Sequence, residues 1–299
     1  MRASRISELR ICELSELADD AALAAREMKN DGCSAYEILS VVSESLSEVF
    51  SGDAHGDCLE ANKKRLSKYF SASDICDAAV FSSLFAERAE RLGVLVCERD
   101  FFDTDGGDES IIYVKNSLAD EAYDVFSESL SDPRVKYAIS FKEACRAVAE
   151  GEAEYCLLPL EERGGARLSG IRELIFRHDL KINAVTPVFG FDGVADMKYA
   201  LISKHFTLPE VLEDDDRYLE IMYKRGSECE ISHLLLASEL LGYTVYRINT
   251  VTLDTEGESA PYSSIVFRAE GGLDFSVLLI FLSSFIGSYT AIGIYKNLE

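Results

Sequence analysis

Residues 141–175, FKEACRAVAEGEAEYCLLPLEERGGARLSGIRELI, decide the fold. Phe141, Ala144, Cys145, Val148 and Ala149 recur at helical spacing and form one apolar stripe of an amphipathic helix. Gly151 stands where a helix commonly stops. Tyr155-Cys156-Leu157-Leu158 is a short apolar run without alternation, as expected of a strand covered on both faces. Pro159 is expected to end that strand, because it has no N–H for a ladder. The polar loop Glu161–Gly165 carries two glycines, and Ser169 or Gly170 opens the next helix. Strand, glycine loop and helix N-terminus together form an anion cradle, although such a loop is most often a plain connection.

The same residues resemble the ligand-binding core of the prephenate dehydratase family. Phe141, Ala144, Val148, Gly151, Ala153, Tyr155, Pro159, Leu160 and Glu161 fall without a gap on the family's F-x-x-A to P-I-E framework. Glu173-Leu174-Ile175 matches its closing helix. Upstream, Ile112–Ala122 is similar to the family's first strand and turn, with the Ser117 hydroxyl standing for a threonine. The resemblance implies an α/β fold and a substrate held in a cleft between two lobes.

The departures fall on the chemistry. In the family's E-N-S motif only Glu161 is kept; Glu162 and Arg163 replace the amide and the hydroxyl. The T-R-F motif, which holds a dicarboxylate, falls on Met197-Lys198-Tyr199. Met cannot donate the hydrogen bond of a threonine, and Lys keeps the charge but loses the bidentate fork. An added carboxylate at Glu162 repels a dianion. A strand at Leu180–Val185 and another at Met197–Ser203 are about eleven residues apart, which is loop length, so a single periplasmic-binding-protein-like lobe is expected. The resemblance makes Ser117, Glu161 and Lys198 the candidate catalytic residues, Ser117 bonding substrate and Lys198 holding a carboxylate. With their partners replaced, a catalytically degenerate protein acting in ligand sensing or regulation is the leading expectation. An active prephenate dehydratase or chorismate mutase with divergent residues is the alternative, and a protein-binding scaffold is a third.

From Tyr218 the pattern reads strand, helix, strand, strand, helix, strand, the order of a ferredoxin-like split unit. It resembles the ACT domain that follows dehydratase domains and senses amino acids. The alignment places Cys229, Glu230 and Ile231 on one ligand motif and Asn249, Thr250 and Val251 on the other, both altered. An aromatic amino acid or small carboxylate is the implied ligand, and a homodimer through the ACT-like domain the implied assembly. Phe275–Tyr295 carries no charge and is long enough for a membrane span. Its serines and the natural break at Gly287-Ser288 favour a buried helix followed by a strand.

The first hundred or so residues read as helices over Glu13–Lys29, Ala35–Phe50, Asp57–Phe70 and Ala72–Leu92, a small bundle. Their position is that of the chorismate mutase fused ahead of some dehydratases, and Arg10, Arg26, Lys29, Arg88 and Arg91 are the cationic candidates. The plainer reading makes them solvated helix faces.

The chain of 299 residues has 53 acidic against 30 basic side chains, a net charge of −23 that repels nucleic acid and anionic membranes. No apolar segment follows Met1-Arg2-Ala3-Ser4, so a cytoplasmic protein is expected. The eight cysteines show no CxxC spacing and are expected as reduced core thiols, with neither metal nor cofactor. Acidic stretches at Asp103–Glu109 and Glu213–Asp216 set the expected organisation: a helical N-terminal region over 1–103, the dehydratase-like lobe over 110–206 and the ferredoxin-like ACT domain over 217–299.

Overall fold

The computed structural model describes residues 8–34, 37–39, 42, 72–94, 96–102, 104, 110–130, 133–189, 195–209, 215–224, 230–255, 258–286 and 289–298. The chain is a mixed α/β protein that divides into two compact units. One comprises residues 1–101, 224–245 and 274–289; the other comprises 102–223, 246–273 and 290–299. The segment 217–299 is therefore shared between them, its strands largely in the second unit and its helices in the first.

The second unit is built on a ten-stranded sheet. Strands β1 (Ser110–Tyr113), β2 (Arg134–Tyr137) and β3 (Tyr155–Glu162) are parallel. They are joined by α3 (Ser117–Ser127) and α4 (Phe141–Ala149), numbered after two helices of the first unit, α1 (Glu8–Asn30) and α2 (Ala72–Arg91). Side-chain caps start both connecting helices: Asn116 accepts from the Ala119 N–H and Ser140 from the Glu143 N–H. The expected stripe of α4 faces inward through Ala144, Cys145 and Val148, with Phe141 and Ala149 packed against that core. After the two-residue β4 (Ala166–Arg167), α5 (Ser169–Arg177) leads into β5 (Lys181–Phe189) and β6 (Ala195–Ser203). These two pair antiparallel from Lys181 opposite Ser203 to Phe189 opposite Ala195, with only residues 190–194 between them.

The sheet then continues through β10 (Tyr289–Lys296), β7 (Arg217–Lys224), β9 (Glu258–Ala269) and β8 (Thr244–Thr255), in that order. Gly293 on β10 pairs with Ile182 on β5, where a Cβ would overlap the Ile182 carbonyl oxygen. Only glycine permits this approach. One face of the sheet carries a core from α4, α5 and residues such as Cys156, Leu158, Ile182 and Met222. The opposite face carries α3 with Tyr113, Leu157, Tyr199 and Leu201.

Two local expectations change. β3 does not end at Pro159 but runs on to Glu162. β1 pairs with β3 only as far as Leu157, so Pro159 sits on a stretch flanked by β6 alone. A missing N–H is tolerated at such an edge. The cysteines are not uniformly core residues either: Cys145 and Cys156 are buried and free, while Cys12 is free and exposed.

In the first unit, α2 packs on α1, on α6 (Ile231–Leu240) and on α7 (Ser276–Phe281). Ala18, Ala22 and Ala25 on α1 and Ala78, Phe81 and Phe85 on α2 are all buried in this unit. Phe81 stands edge-on to Phe285 at 6.4 Å, and the buried Glu98 carboxylate accepts from the Phe275 N–H at 2.7 Å. α7 passes into a π-helical turn, Leu282–Ile286, before β10. Among the described residues no helix is long and apolar enough to cross a membrane. The expected helix Asp57–Phe70 and most of Ala35–Phe50 lie outside the described residues.

Candidate functional site

The parallel strands β1 and β2 each run into a helix and β3 leads through β4 into α5, so the N-termini of α3, α4 and α5 gather where these strands end. Ligands of open α/β sheets bind at such carboxyl ends. A cavity of about 670 Å³ opens there, lined by Asn116, Phe141, Pro159, Glu162, Leu168–Ile171, Met197 and Tyr199 among others. Its walls are largely apolar, and its polar groups are few, as in many small-molecule sites. Leu168 stands at the N-cap position of α5 and supplies no side-chain cap. Tyr199, 3 % exposed, reaches Asn116 Oδ1 at 3.4 Å. Burial raises its hydroxyl pKa above the ordinary value, opposed in part by the Asn116 bond, so the group stays a neutral donor at physiological pH.

Glu162 is the single charged lining residue among the described ones. It owes its place to a β-bulge. The register of β3 against β6 shifts between Pro159, opposite Tyr199, and Glu161, opposite Lys198. Leu158 and Leu160 face the α4–α5 side, so strict alternation would put Glu161 on the cavity side with Leu157 and Pro159. The bulge instead turns Glu161 onto the Leu160 side and Glu162 toward the cavity. Re-aiming a side chain is what an extra residue in one strand does.

Glu161 and Lys198 accordingly meet at a second, small cavity of about 20 Å³, lined also by Arg172, Tyr218, Tyr246 and Tyr295. That is room for one water. The Glu161 carboxylate is 7 % exposed, accepts from Arg247 Nη1 at 2.5 Å and lies 3.8 Å from Lys198 Nζ. Beside it the buried Arg172 of α5 pairs with Glu220 of β7, whose Oε1 also accepts from Ser264 Oγ at 2.6 Å. Buried charges persist only when paired and hydrogen-bonded in this way.

Of the residues singled out from sequence, Glu161 and Lys198 are thus brought together. Ser117 lies apart from them, exposed at the first position of α3 next to the cavity-lining Asn116. Cys229 lies outside the described residues. Glu230 and Ile231 start α6 in the first unit, where Glu230 accepts from Ser232 Oγ at 3.2 Å. Asn249 and Thr250 lie on β8 in the second unit, Asn249 half-buried and Thr250 exposed. In the first unit Arg88 bonds Asp19 at 2.8 Å and Arg91 pairs with Glu87 along α2, while Arg26 is exposed. Sequence reading missed Asn116, Arg172 and Arg247. The one available signal was Glu220 inside the apolar run Leu219–Tyr223, since a carboxylate buried in a strand requires a cation.

No family model matches the chain, and no curated protein matches its sequence. Solved structures resemble it at a distance. A prephenate dehydratase from Streptococcus mutans is 16% identical over 64% of this chain and 99% of its own, with a TM-score of 0.49. GqqA, described as a novel type of quorum quenching acylase, is 17% identical over 64% and 96%, with a TM-score of 0.47. A prephenate dehydratase from Arthrobacter aurescens, in complex with L-Phe, is 12% identical over 62% and 89%, with a TM-score of 0.45. At these values the likeness carries nothing about activity or substrate.

Proposed function

We propose that this chain is a prephenate dehydratase-like protein that has lost dehydratase chemistry and binds a small molecule for sensing or regulation. The observation that supports it most is the exchange at the bulge. The large cavity contains a carboxylate, Glu162, where a dicarboxylate substrate requires cations. The framework carboxylate Glu161 and the cation Lys198 are turned to the other face, where Glu161 engages both Lys198 and Arg247. A cavity of about 20 Å³ at that pair admits no substrate. The strand–helix order after Tyr218 supports an ACT-like origin for 217–299 and pairing of two chains through it; its strands belong to the sheet of the second unit, and the ligand, an amino acid or small carboxylate, is taken to bind at the large cavity.

Purified full-length protein incubated with chorismate and, separately, prephenate is expected to form prephenate and phenylpyruvate no faster than the spontaneous rates. Turnover of prephenate that disappears in Lys198→Ala would overturn the reading and make the enzyme interpretation primary.

A further inference from the structure

We infer that the cavity at the ends of β1 and β3 is selective for a zwitterionic α-amino acid with an apolar side chain, not for a dicarboxylate. This deepens the functional reading above and rests on it, since it takes the cavity as a ligand site.

Three features of the cavity specify the ligand. The first is its wall: Phe141, Pro159, Leu168, Ile171 and Met197 offer apolar and aromatic surface, and 670 Å³ is ample for an amino-acid side chain. The second is its charge. Glu162 is exposed to the cavity and is the single charged lining residue among the described ones, so the site favours a ligand that presents a cation. The third lies on the facing helix. Ser169 and Gly170 line the same cavity at the start of the nine-residue α5, whose N-cap Leu168 leaves their N–H groups without a side-chain acceptor. Unmatched amides at a helix start favour a carboxylate. An ammonium on Glu162 with a carboxylate at Ser169 and Gly170 satisfies both ends of one small molecule. A dicarboxylate satisfies one end and is repelled at the other. An amine without a carboxylate leaves the helix start unmatched.

Gly170 supplies a test that spares the fold. Its backbone is in an ordinary conformation, and a Cβ there meets nothing within 4 Å, so a larger side chain projects into open space. Replacing a helical glycine also removes its entropic cost. Calorimetric titration of the full-length protein would use L-phenylalanine, 3-phenylpropanoate (no ammonium), phenethylamine (no carboxylate) and prephenate. L-phenylalanine is expected to bind about tenfold or more tighter than each of the others, the worth of one charge-assisted contact. Glu162→Gln is expected to erase its advantage over 3-phenylpropanoate, and Gly170→Leu to abolish binding while circular dichroism stays unchanged. If 3-phenylpropanoate or prephenate binds as tightly as L-phenylalanine and Gly170→Leu blocks it, the zwitterion assignment is wrong while the cavity remains a ligand site. If no probe binds, or Gly170→Leu leaves binding intact, the cavity reading itself falls.

Discussion

Glu161 and Glu162 are neighbours in sequence and so fall on opposite faces of the sheet by ordinary alternation; the single bulge in β3, between Pro159 and Glu161, decides which face each takes. One added residue therefore decides which carboxylate meets a ligand. The sequence shows two consecutive glutamates and cannot show which faces inward, since alternation alone predicts the reverse. Arg247 was equally hidden: it is half-buried on a strand far along the chain from Glu161, and nothing local marks the pair. His178, which caps the C-terminus of α5, makes a prediction at this same scale. Its Nε2 is buried without a hydrogen bond, and burial, then Arg177 and Lys142, lower its pKa below the ordinary 6.5, with Glu150 opposing. A base with a depressed folded-state pKa contributes stability fully above its unfolded value, and that stability is lost as pH falls through the lower folded value. Below about pH 6.5 the melting temperature of the wild type should fall more steeply than that of His178→Gln. Parallel acid limbs for the two proteins would remove His178 from the account.

Elements were far more legible than side-chain facing. The stripe from Phe141 to Ala149, the glycine stop at Gly151 and the strand–helix–strand order after Tyr218 all appear as read, because periodicity and helix stops are local signals. What no local signal carries is which strands share a sheet. β5 and β10 are brought side by side at Gly293 opposite Ile182, so one sheet runs through residues on both sides of the acidic stretch Glu213–Asp216. Gly293→Val places a branched side chain against the Ile182 carbonyl. Such overpacking should cost about 1–3 kcal/mol in denaturant unfolding and raise amide exchange in β5 and β10 together. A loss below about 0.5 kcal/mol, within the range of neutral surface changes, would show that this pairing is not needed.

For the whole molecule, composition sets what can approach it. A net charge of −23 gives no general attraction to an anionic ligand, so selectivity must come from a local site. The chain's four methionines provide reporters for locating that site: Met197 lines the large cavity, while Met222 is buried in the core that holds α4 and α5. The most direct measurement is a methyl spectrum of the full-length protein carrying [methyl-¹³C]methionine, titrated with L-phenylalanine and then prephenate. L-phenylalanine is expected to move the Met197 signal, assigned by Met197→Leu, and to leave that of Met222 in place, and no phenylpyruvate is expected to accumulate from prephenate. Binding that leaves Met197 unmoved, or phenylpyruvate formed above the spontaneous rate, would contradict the proposed function.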